Sequence, residues 1–378
     1  MSLTARELNR VTLDRQMLLC REPLGVLDAL RRVMALQAQH AASPYLALWN
    51  RIAGFDPSEL DAAFAEHKVV KATLMRVTLH AVHAEDYPTF HAAMLGALRA
   101  FRLADRRLTQ LGLSSADLDA LAPELVKFAA RARTTAELQA MAEERLGALP
   151  DPGVWWALRT FVPLVHAPTG GPWSFGLRPS YIAAATGAAA VDREESRRHL
   201  ARRYLAAFGP ASVADFAQFA KLARSTARDA LTTQADPLQQ LEGPDGTVLF
   251  DVPAAPRPAA DTPAPPRLMA MWDSVLLAYA DRSRIIPPGY RRLVIRRNGD
   301  ILPTLLVDGY VAGVWRPVAA GIQATAFHPL PDDVWAGLAA EASSLVEFLA
   351  DREPTVYLRF ARWWAGLPSA EVRVLPGS

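Results

Sequence analysis

The sequence predicts a mainly α-helical protein with small β elements, built from three winged-helix (helix-turn-helix) units in tandem and a small antiparallel β-barrel or meander. Apolar residues recur every three or four positions up to about residue 250, as in amphipathic helices. Short segments of alternating apolar and polar residues follow several of these helices, which is the order of a winged helix. Asn-Gly and Asp-Gly dipeptides in the last third indicate β-hairpins.

The first unit is assigned to residues 1–100. A helix is predicted over residues 23–36, and a second helix begins at Ser43, which is followed by a proline suited to the first helical turn. Residues 37–42 therefore form a short link between two helices. The alternating segment over residues 73–84 predicts one or two short strands, the first wing.

The second unit is assigned to residues 101–190. Thr134 is a candidate N-cap for a helix that reaches about residue 147, because a threonine side chain can accept a hydrogen bond from the first helical turn. Two aromatic-rich, strand-like segments follow at 161–167 and 173–181, separated by a Gly-Gly-Pro turn. This is a second helix-then-wing order.

The third unit is assigned to residues 191–252. It begins with a basic helix at about residue 194. Ser212 then caps a helix that reaches Leu222, and another helix spans 225–231. The short connection between the last two helices has helix-turn-helix spacing.

A proline- and alanine-rich linker at 253–266 precedes the last unit, residues 267–378. In this unit Asn298-Gly299 and Asp308-Gly309 each mark a tight hairpin turn. The predicted elements are strands at 291–297, 301–307 and 310–315, a helix at 332–349 and a last strand at 356–360.

Composition narrows the classes of function. The 378 residues contain one cysteine, Cys20, which excludes internal disulfides and a cysteine-cluster zinc site. No apolar run approaches the ~20 residues of a membrane span, and the first residues lack a signal-peptide pattern. A net charge of +2 is mildly basic, and most of the cations are arginine. We expect a monomeric cytoplasmic protein with no cofactor and no metal.

The segment around residues 35–49 carries the main functional signal. It reads Ala-Leu-Gln-Ala-Gln-His, with glutamines at 37 and 39, and continues after Ser43 as Pro-Tyr-Leu-Ala-Leu-Trp. Together with Leu-Met-Arg-Val-Thr-Leu-His at 74–80, Asp-Arg-Ser-Arg at 281–284 and Pro-Thr-Leu-Leu-Val-Asp-Gly at 303–309, it resembles the AlkZ-like DNA glycosylases. These segments have the family's order and span nearly the whole chain.

The resemblance implies a C-shaped protein with a concave DNA-binding face that acts on alkyl-purine adducts, in some members as self-resistance to a genotoxic natural product. It implies that Gln37 and Gln39 are catalytic. The partner would be double-stranded DNA carrying alkylated bases, in a nucleoid-associated protein. A related pattern has aspartate at the second position, where this chain has Gln39.

The chemistry of two amides supports that role. Residues two apart face the same side of an extended link, whereas on a helix they diverge. A glutamine has no useful titration, but it can orient a water molecule. This suffices when the leaving group is cationic, as an N7- or N3-alkylated purine is. No lysine lies near this motif in the sequence, so lyase chemistry through a Schiff base is not expected. Taken alone, Gln37 and Gln39 also fit ordinary polar residues at a helix end.

Six further residues are candidates for DNA contact. They are Arg76, His80, Arg282, Arg284, Arg296 and Arg297. Each has an alternative role, because a histidine on a strand is commonly structural and charged residues at strand ends block edge pairing. The tryptophans at 155, 156, 363 and 364 fit core positions better than a stacking platform.

Two other classes of function remain open. A winged-helix transcription regulator would share the helices and would need no chemistry at the glutamines. An inactive DNA-binding scaffold would also share the helices and need no chemistry at the glutamines. Neither would create an abasic site in damaged DNA, which separates both from a glycosylase.

Overall fold

Three buried apolar clusters organise the fold in a computed structural model, which describes residues 2–104, 106, 110–148, 155, 158–185, 192–364 and 366–376. The first cluster joins the N-terminal helices to the C-terminal sheet. The second joins the first wing to helices from the third predicted unit. The third belongs to the second predicted unit. The N-terminal and C-terminal parts of the chain therefore share one core.

The α-helices of the described residues are these: α1 Ala5–Arg15, α2 Val26–Val33, α3 Ser43–Trp49, α4 Pro57–Ala65, α5 Tyr87–Leu103, α6 Ser115–Phe128, α7 Thr135–Leu146, α8 Arg193–Phe208, α9 Val213–Ala220, α10 Arg224–Thr232, α11 Arg291–Val294 and α12 Asp332–Ala350. No helix among these residues is long and apolar enough to span a membrane.

The strands are β1 Leu36–Gln37, β2 Val69–Thr73, β3 Leu79–His83, β4 Arg133–Thr134, β5 Leu164–Ala167, β6 Ser180–Ala183, β7 Gln239–Glu242, β8 Val248–Asp251, β9 Arg267–Leu268, β10 Thr304–Val307, β11 Tyr310–Val318, β12 Gly321–Ala326 and β13 Glu371–Leu375. They form a six-stranded sheet in the order β1-β3-β2-β5-β6-β4, a five-stranded sheet in the order β13-β12-β11-β10-β9, and the hairpin β7-β8.

Helix α2 is shorter than the predicted span of 23–36. It begins after Gly25 and ends at Val33, because Met34 adopts a left-handed backbone with φ of 71° and turns the chain away from the helix axis. The side chain of Met34 is fully buried, which compensates for this conformation. The chain then enters β1, and α3 begins at Ser43 as predicted.

The first two predicted wings are not separate sheets. Strand β2 pairs with β3 on one side, and Lys71 of β2 pairs with His166 of β5 on the other. Strand β5 lies within the predicted segment 161–167, and β6 begins inside the predicted segment 173–181 and ends two residues after it. Thr134 caps α7, as predicted. One continuous sheet therefore crosses from residues before 100 to residues after 160.

The third predicted unit has the expected order of elements. Helices α8, α9 and α10 are followed by the β7-β8 hairpin, and Ser212 forms a capping box with Asp215 at the start of α9. The order agrees with a winged helix, although the winged-helix assignment itself, like the boundaries of the units, stays a prediction.

The C-terminal sheet is open, so the barrel alternative was wrong. Its edges are β9 and β13, and these two strands do not pair with each other. The Asp308-Gly309 turn was predicted correctly, with φ of 47° and 81° in a tight connection from β10 to β11. Helix α12 confirms the predicted helix at 332–349. Residues 253–266 contain no helix or strand, as expected of the linker.

Two predicted strands of this region are absent. Most of 291–297 forms the short helix α11, because a helical turn exposes Arg291 and Arg292 while it buries Val294; only Ile295 makes a β-bridge, with Ile301. The predicted strand at 356–360 is a turn and a 3-10 helix, Leu358–Trp363, because Tyr357 is buried in a left-handed conformation.

A buried ion pair fastens the N-terminal helices to the C-terminal unit. Both nitrogens Nη1 and Nη2 of Arg51 donate to the carboxylate of Asp273 at 2.8 Å, and both side chains are fully buried. A bidentate contact in a dry core fixes the relative position of the two elements. Removal of either partner leaves an uncompensated buried charge.

We therefore expect Asp273→Ala to lower the free energy of unfolding by about 3–5 kcal/mol. Denaturant titration followed by circular dichroism measures this change. The matched control is Lys68→Ala, which breaks the solvent-exposed Lys68–Glu66 pair and should cost less than about 1 kcal/mol. Equal costs for the two variants would show that the buried pair does not hold the two parts together.

Candidate active site

The first part of the link that carries the two glutamines is held in a sheet. Leu36 pairs with Ala81 and Gln37 pairs with His80, antiparallel to β3. The backbone N–H of Ala38 extends the pairing by donating to the Leu79 carbonyl at 2.8 Å. The prediction of an extended link holds as far as Ala38, and the chain then bends at Gln39 and His40 and turns into α3.

Gln37 belongs to a buried polar cluster. Its side chain is 4% exposed, and its Oε1 accepts a hydrogen bond from Arg76 Nη2 at 2.5 Å. The same Arg76 nitrogen lies 3.1 Å from His80 Nε2. None of the described residues accepts a hydrogen bond from the side-chain amide nitrogen, Nε2, of Gln37. The arginine fixes the carbonyl end of this glutamine and leaves its NH2 group as the available donor.

His80 is neutral in this cluster. Its side chain is 1% exposed, and burial, reinforced by the charge of Arg76, lowers the pKa of the imidazole well below its ordinary value. His80 Nδ1 lies 3.0 Å from the Thr78 carbonyl, which only accepts, so Nδ1 carries the proton. Nε2 is then the acceptor that faces Arg76.

Arg76 sits on a strained turn. Arg76 and Val77 both have positive φ, 55° and 60°, and Thr78 N donates to the Met75 carbonyl at 3.1 Å. Positive φ at both central residues is the requirement of a type I′ turn, which asparagine and glycine meet far better than a β-branched valine. The Arg76 guanidinium lies over the Phe219 ring of α9, 5.4 Å from its centroid. Packing against α9 supports this costly conformation.

Gln39 is exposed and stands at a cavity. Its Oε1 accepts weakly from the Leu79 backbone N–H at 3.4 Å. Gln39, but not Gln37, is among the described residues that line a cavity of about 700 Å³ between the β2-β3 hairpin and the β5-β6 segment. Gln37 shares a face of the sheet with His80 and Ala72, whereas the cavity-lining residues Lys71, Thr73 and Leu79 belong to the other face. The expectation that both glutamines face the same side is therefore not met by strand alternation, because β1 ends at Gln37 and Gln39 lies beyond it.

Sequence reasoning missed Lys71 as a residue of this cavity. The cavity is lined by Lys71 as well as by Gln39, so a lysine that is distant from the motif in the sequence shares its cavity in the fold. Burial lowers the pKa of the Lys71 ammonium to about 8. Lys71 stands 32 residues after Gln39 in the sequence. The one available signal in the sequence was the strand pattern, which places Lys71 and Thr73 on the same face of β2.

The predicted DNA-contacting arginines have different surroundings. Arg284 donates to the Pro210 carbonyl at 2.9 Å and lies over Tyr279, and Arg296 donates to the Trp363 carbonyl. The side chain of Arg282 makes no hydrogen bond or ion pair among the described residues, and its charge adds to burial in lowering the pKa of Arg76. Arg297 is exposed. DNA contact by these residues stays a prediction.

The remaining residues considered in the sequence are the four tryptophans. Trp155 and Trp364 are buried and Trp363 is half-buried, as expected of core residues, whereas Trp156 lies outside the described residues. Within the described part of the chain, no group of three or more His, Cys, Asp or Glu side chains could hold a metal ion.

Comparison with known proteins identifies the family. Residues 30–348, which include both glutamines, match the family described as DNA glycosylase AlkZ-like. The chain belongs to the AlkZ-like DNA glycosylase family. A relative in Streptomyces sahachiroi, named an interstrand DNA cross-link repair glycosylase, is 27% identical over 342 residues, which are 85% of this chain and 89% of the relative.

A solved structure supports the fold of this AlkZ-like protein. The chain superposes on the Streptomyces sahachiroi DNA glycosylase AlkZ with a TM-score of 0.76 and 22% sequence identity. The match covers 94% of this chain and 99% of the AlkZ chain. At this identity the likeness concerns the fold.

The neutral state of His80 is directly testable. We expect nitrogen-15 NMR of the imidazole at pH 6 to show a neutral ring with the proton on Nδ1, because a pKa lowered by burial means that protonation requires more acid than for a free histidine. The spectrum of His80→Gln assigns the signal. Imidazolium shifts for His80 at pH 6 would contradict the buried cluster.

Proposed function

We propose that this AlkZ-like protein is a monofunctional DNA glycosylase that hydrolyses the N-glycosidic bond of N7- or N3-alkylated purines. The proposal rests on one arrangement. Gln37 ends strand β1 and Gln39 lies in the bend two residues later, with Gln37 fixed by a cation and Gln39 open at a cavity. Such a rigid pair of amides can hold a water molecule in one orientation.

The two glutamines have different parts in this mechanism. The Gln39 carbonyl makes only a long hydrogen bond with the Leu79 N–H, so it can accept a hydrogen bond from the attacking water. The Gln37 carbonyl is held by Arg76, and this charge-assisted bond makes the Gln37 NH2 a better donor. Arg76 and His80 are positioning residues that keep Gln37 from rotating.

The substrate supplies the driving force of the reaction. The C1′–N bond breaks, its electron pair enters the purine ring and neutralises the positive charge, and an oxocarbenium-like sugar remains. The oriented water adds to C1′ and releases its proton to solvent. No residue has to act as a strong base, because each tenfold of rate requires only ~1.4 kcal/mol of preferential stabilisation of the transition state.

Hydrolysis without strand cleavage is part of the proposal. A lyase step would need an amine at C1′, and Lys71 is the candidate amine in the cavity. Burial lowers its pKa to about 8, so most of this amine is still protonated and non-nucleophilic at pH 7. Its Nζ lies 4.4 Å from the centre of the Phe175 ring, a contact that favours the protonated form. Borohydride should therefore trap no protein–DNA adduct.

Bulky adducts and cross-links belong to the proposed substrate range. The relative in Streptomyces sahachiroi is named for interstrand cross-link repair. The cavity beside Gln39 supplies room for a group larger than methyl. A duplex with N7-methylguanine and a duplex with a bulky N7 adduct, each assayed for an abasic site, test this range and exclude a transcription regulator or scaffold.

Replacement of the glutamines is expected to reduce catalysis. Gln37→Ala and Gln39→Ala should each lower release of N7-methylguanine by ~10²-fold, the usual effect of removing a group that positions a reactant. The rate should vary little with pH near neutrality, because neither amide titrates and His80 is already neutral. Single-turnover kinetics on a labelled duplex measures both effects.

The controls separate catalysis from folding. Gln39→Ala should change stability by less than about 1 kcal/mol. Gln37→Ala should cost about 1–3 kcal/mol, because Arg76 loses the oxygen that accepts its shorter hydrogen bond and keeps only His80 Nε2. Gln139→Ala, on helix α7, should keep the wild-type rate. A folded double variant that releases the base at the wild-type rate would reject catalysis by this pair.

Salt dependence tests the DNA-contacting arginines. Alanine at Arg282 and Arg297 should flatten the dependence of duplex affinity on salt, by roughly one unit of slope for each phosphate that no longer binds an arginine. Alanine at Arg284 and Arg296 should lower the unfolding temperature more, since their side chains hold neighbouring carbonyls. An unchanged slope after replacement of Arg76 and these four residues would reject the surface.

A further inference from the structure

The cavity beside Gln39 contains a buried cation without a counter-ion. Lys71 is 6% exposed, and no carboxylate among the described residues pairs with it. Its ammonium contacts the face of Phe175 at 4.4 Å from the ring centre. An unpaired buried charge costs several kcal/mol unless a partner compensates it, so proteins keep such groups mainly where they act on a ligand.

Two more polar atoms of the cavity wall lack partners. Trp155 Nε1 and His166 Nε2 are buried and make no hydrogen bond in the described structure. His166 pairs with Lys71 across strands β2 and β5, so their side chains stand next to each other on one face of the sheet. An indole N–H only donates. The cavity therefore presents the ammonium of Lys71 as the group that can bind an oxygen acceptor, beside two fully buried nitrogens that have no hydrogen-bond partner in the described part of the chain.

The rest of the wall is aromatic. The Phe175 ring lies edge-on to His166 at 6.4 Å, and Tyr181 lies 4.6 Å from His166. Flat walls of this kind pack against a planar group. The volume of about 700 Å³ falls within the range of small-molecule sites.

We propose that this cavity binds the substituent of a bulky adduct, and that the substituent is a planar aromatic group with an anionic or carbonyl oxygen directed to Lys71. The proposal rests on the glycosylase function proposed above and specifies its substrate class. The alkylated purine itself stays outside, at Gln39. A cationic ring would be repelled by Lys71, which no carboxylate of the described residues pairs with.

Binding without DNA tests the cavity independently of catalysis. The probe is 7-methoxycoumarin-3-carboxylate, a fluorescent planar anion, and its neutral 3-carboxamide is the matched ligand. The wild-type protein should bind the carboxylate at least ~10-fold more tightly than the carboxamide, the usual effect of one charge-assisted hydrogen bond. Lys71→Met should remove this preference, and Lys71→Arg should keep most of it.

Lys127→Met is the control variant, since Lys127 is exposed and lines a different cavity. It should bind both probes as the wild type does. Equal binding of carboxylate and carboxamide by the wild type, or a preference that survives in a folded Lys71→Met variant, would overturn the proposal.

Excision kinetics adds a second readout. Lys71→Met should slow release of an N7-guanine adduct that carries the coumarin carboxylate by ~10-fold and leave N7-methylguanine release unchanged. Equal losses on both duplexes, or a borohydride-trapped adduct that requires Lys71, would instead assign Lys71 to the chemistry and overturn the subsite. If the wild type excises neither base, the glycosylase proposal fails. The titration with the two coumarin probes then tests by itself whether the cavity prefers a planar anion.

Discussion

The pairing of the glutamine link with β3 is the constraint on which the site depends. Leu36 and Gln37 are buried, so their backbone groups need partners inside the protein, and β3 provides them. A strand has a period of two, and a slip by one residue would direct the Gln37 side chain to the opposite face of the sheet. Register therefore decides whether Gln37 meets Arg76 and His80.

Rigidity around Gln37 comes with backbone strain nearby. The turn at Arg76 and Val77 holds two non-glycine residues at positive φ, and the guanidinium of Arg76, whose Nη1 is buried, packs over Phe219. Helix α9 of the third predicted unit thus supports a turn that belongs to the first wing. A loosely held arginine would let the Gln37 amide rotate, and a rotated amide would exchange its donor and acceptor ends.

Local signals in the sequence were sufficient to predict individual helices and turns. They were not sufficient to predict which strands lie next to each other in the sheet. The start of α3 at Ser43, the capped starts of α7 and α9 and the Asp308-Gly309 turn could be inferred from a few residues each. The cavity could not, because Lys71 and His166 meet only when β2 and β5 pair across 95 positions of the chain. The arginine pairs at 291–292 and 296–297 fit a strand or a helix equally, and burial of Val294 decided for the helix.

The continuous sheet also affects how the chain reaches its native state during synthesis. Strand β2 carries the buried residues Val69 and Val70, and β5 covers its second edge only after residue 167 has left the ribosome. An apolar edge strand left open for almost a hundred residues is a template for pairing with another chain. Although the helix-then-wing order repeats along the sequence, the first part of this protein is not an independent module, and fragments that end before β5 should aggregate.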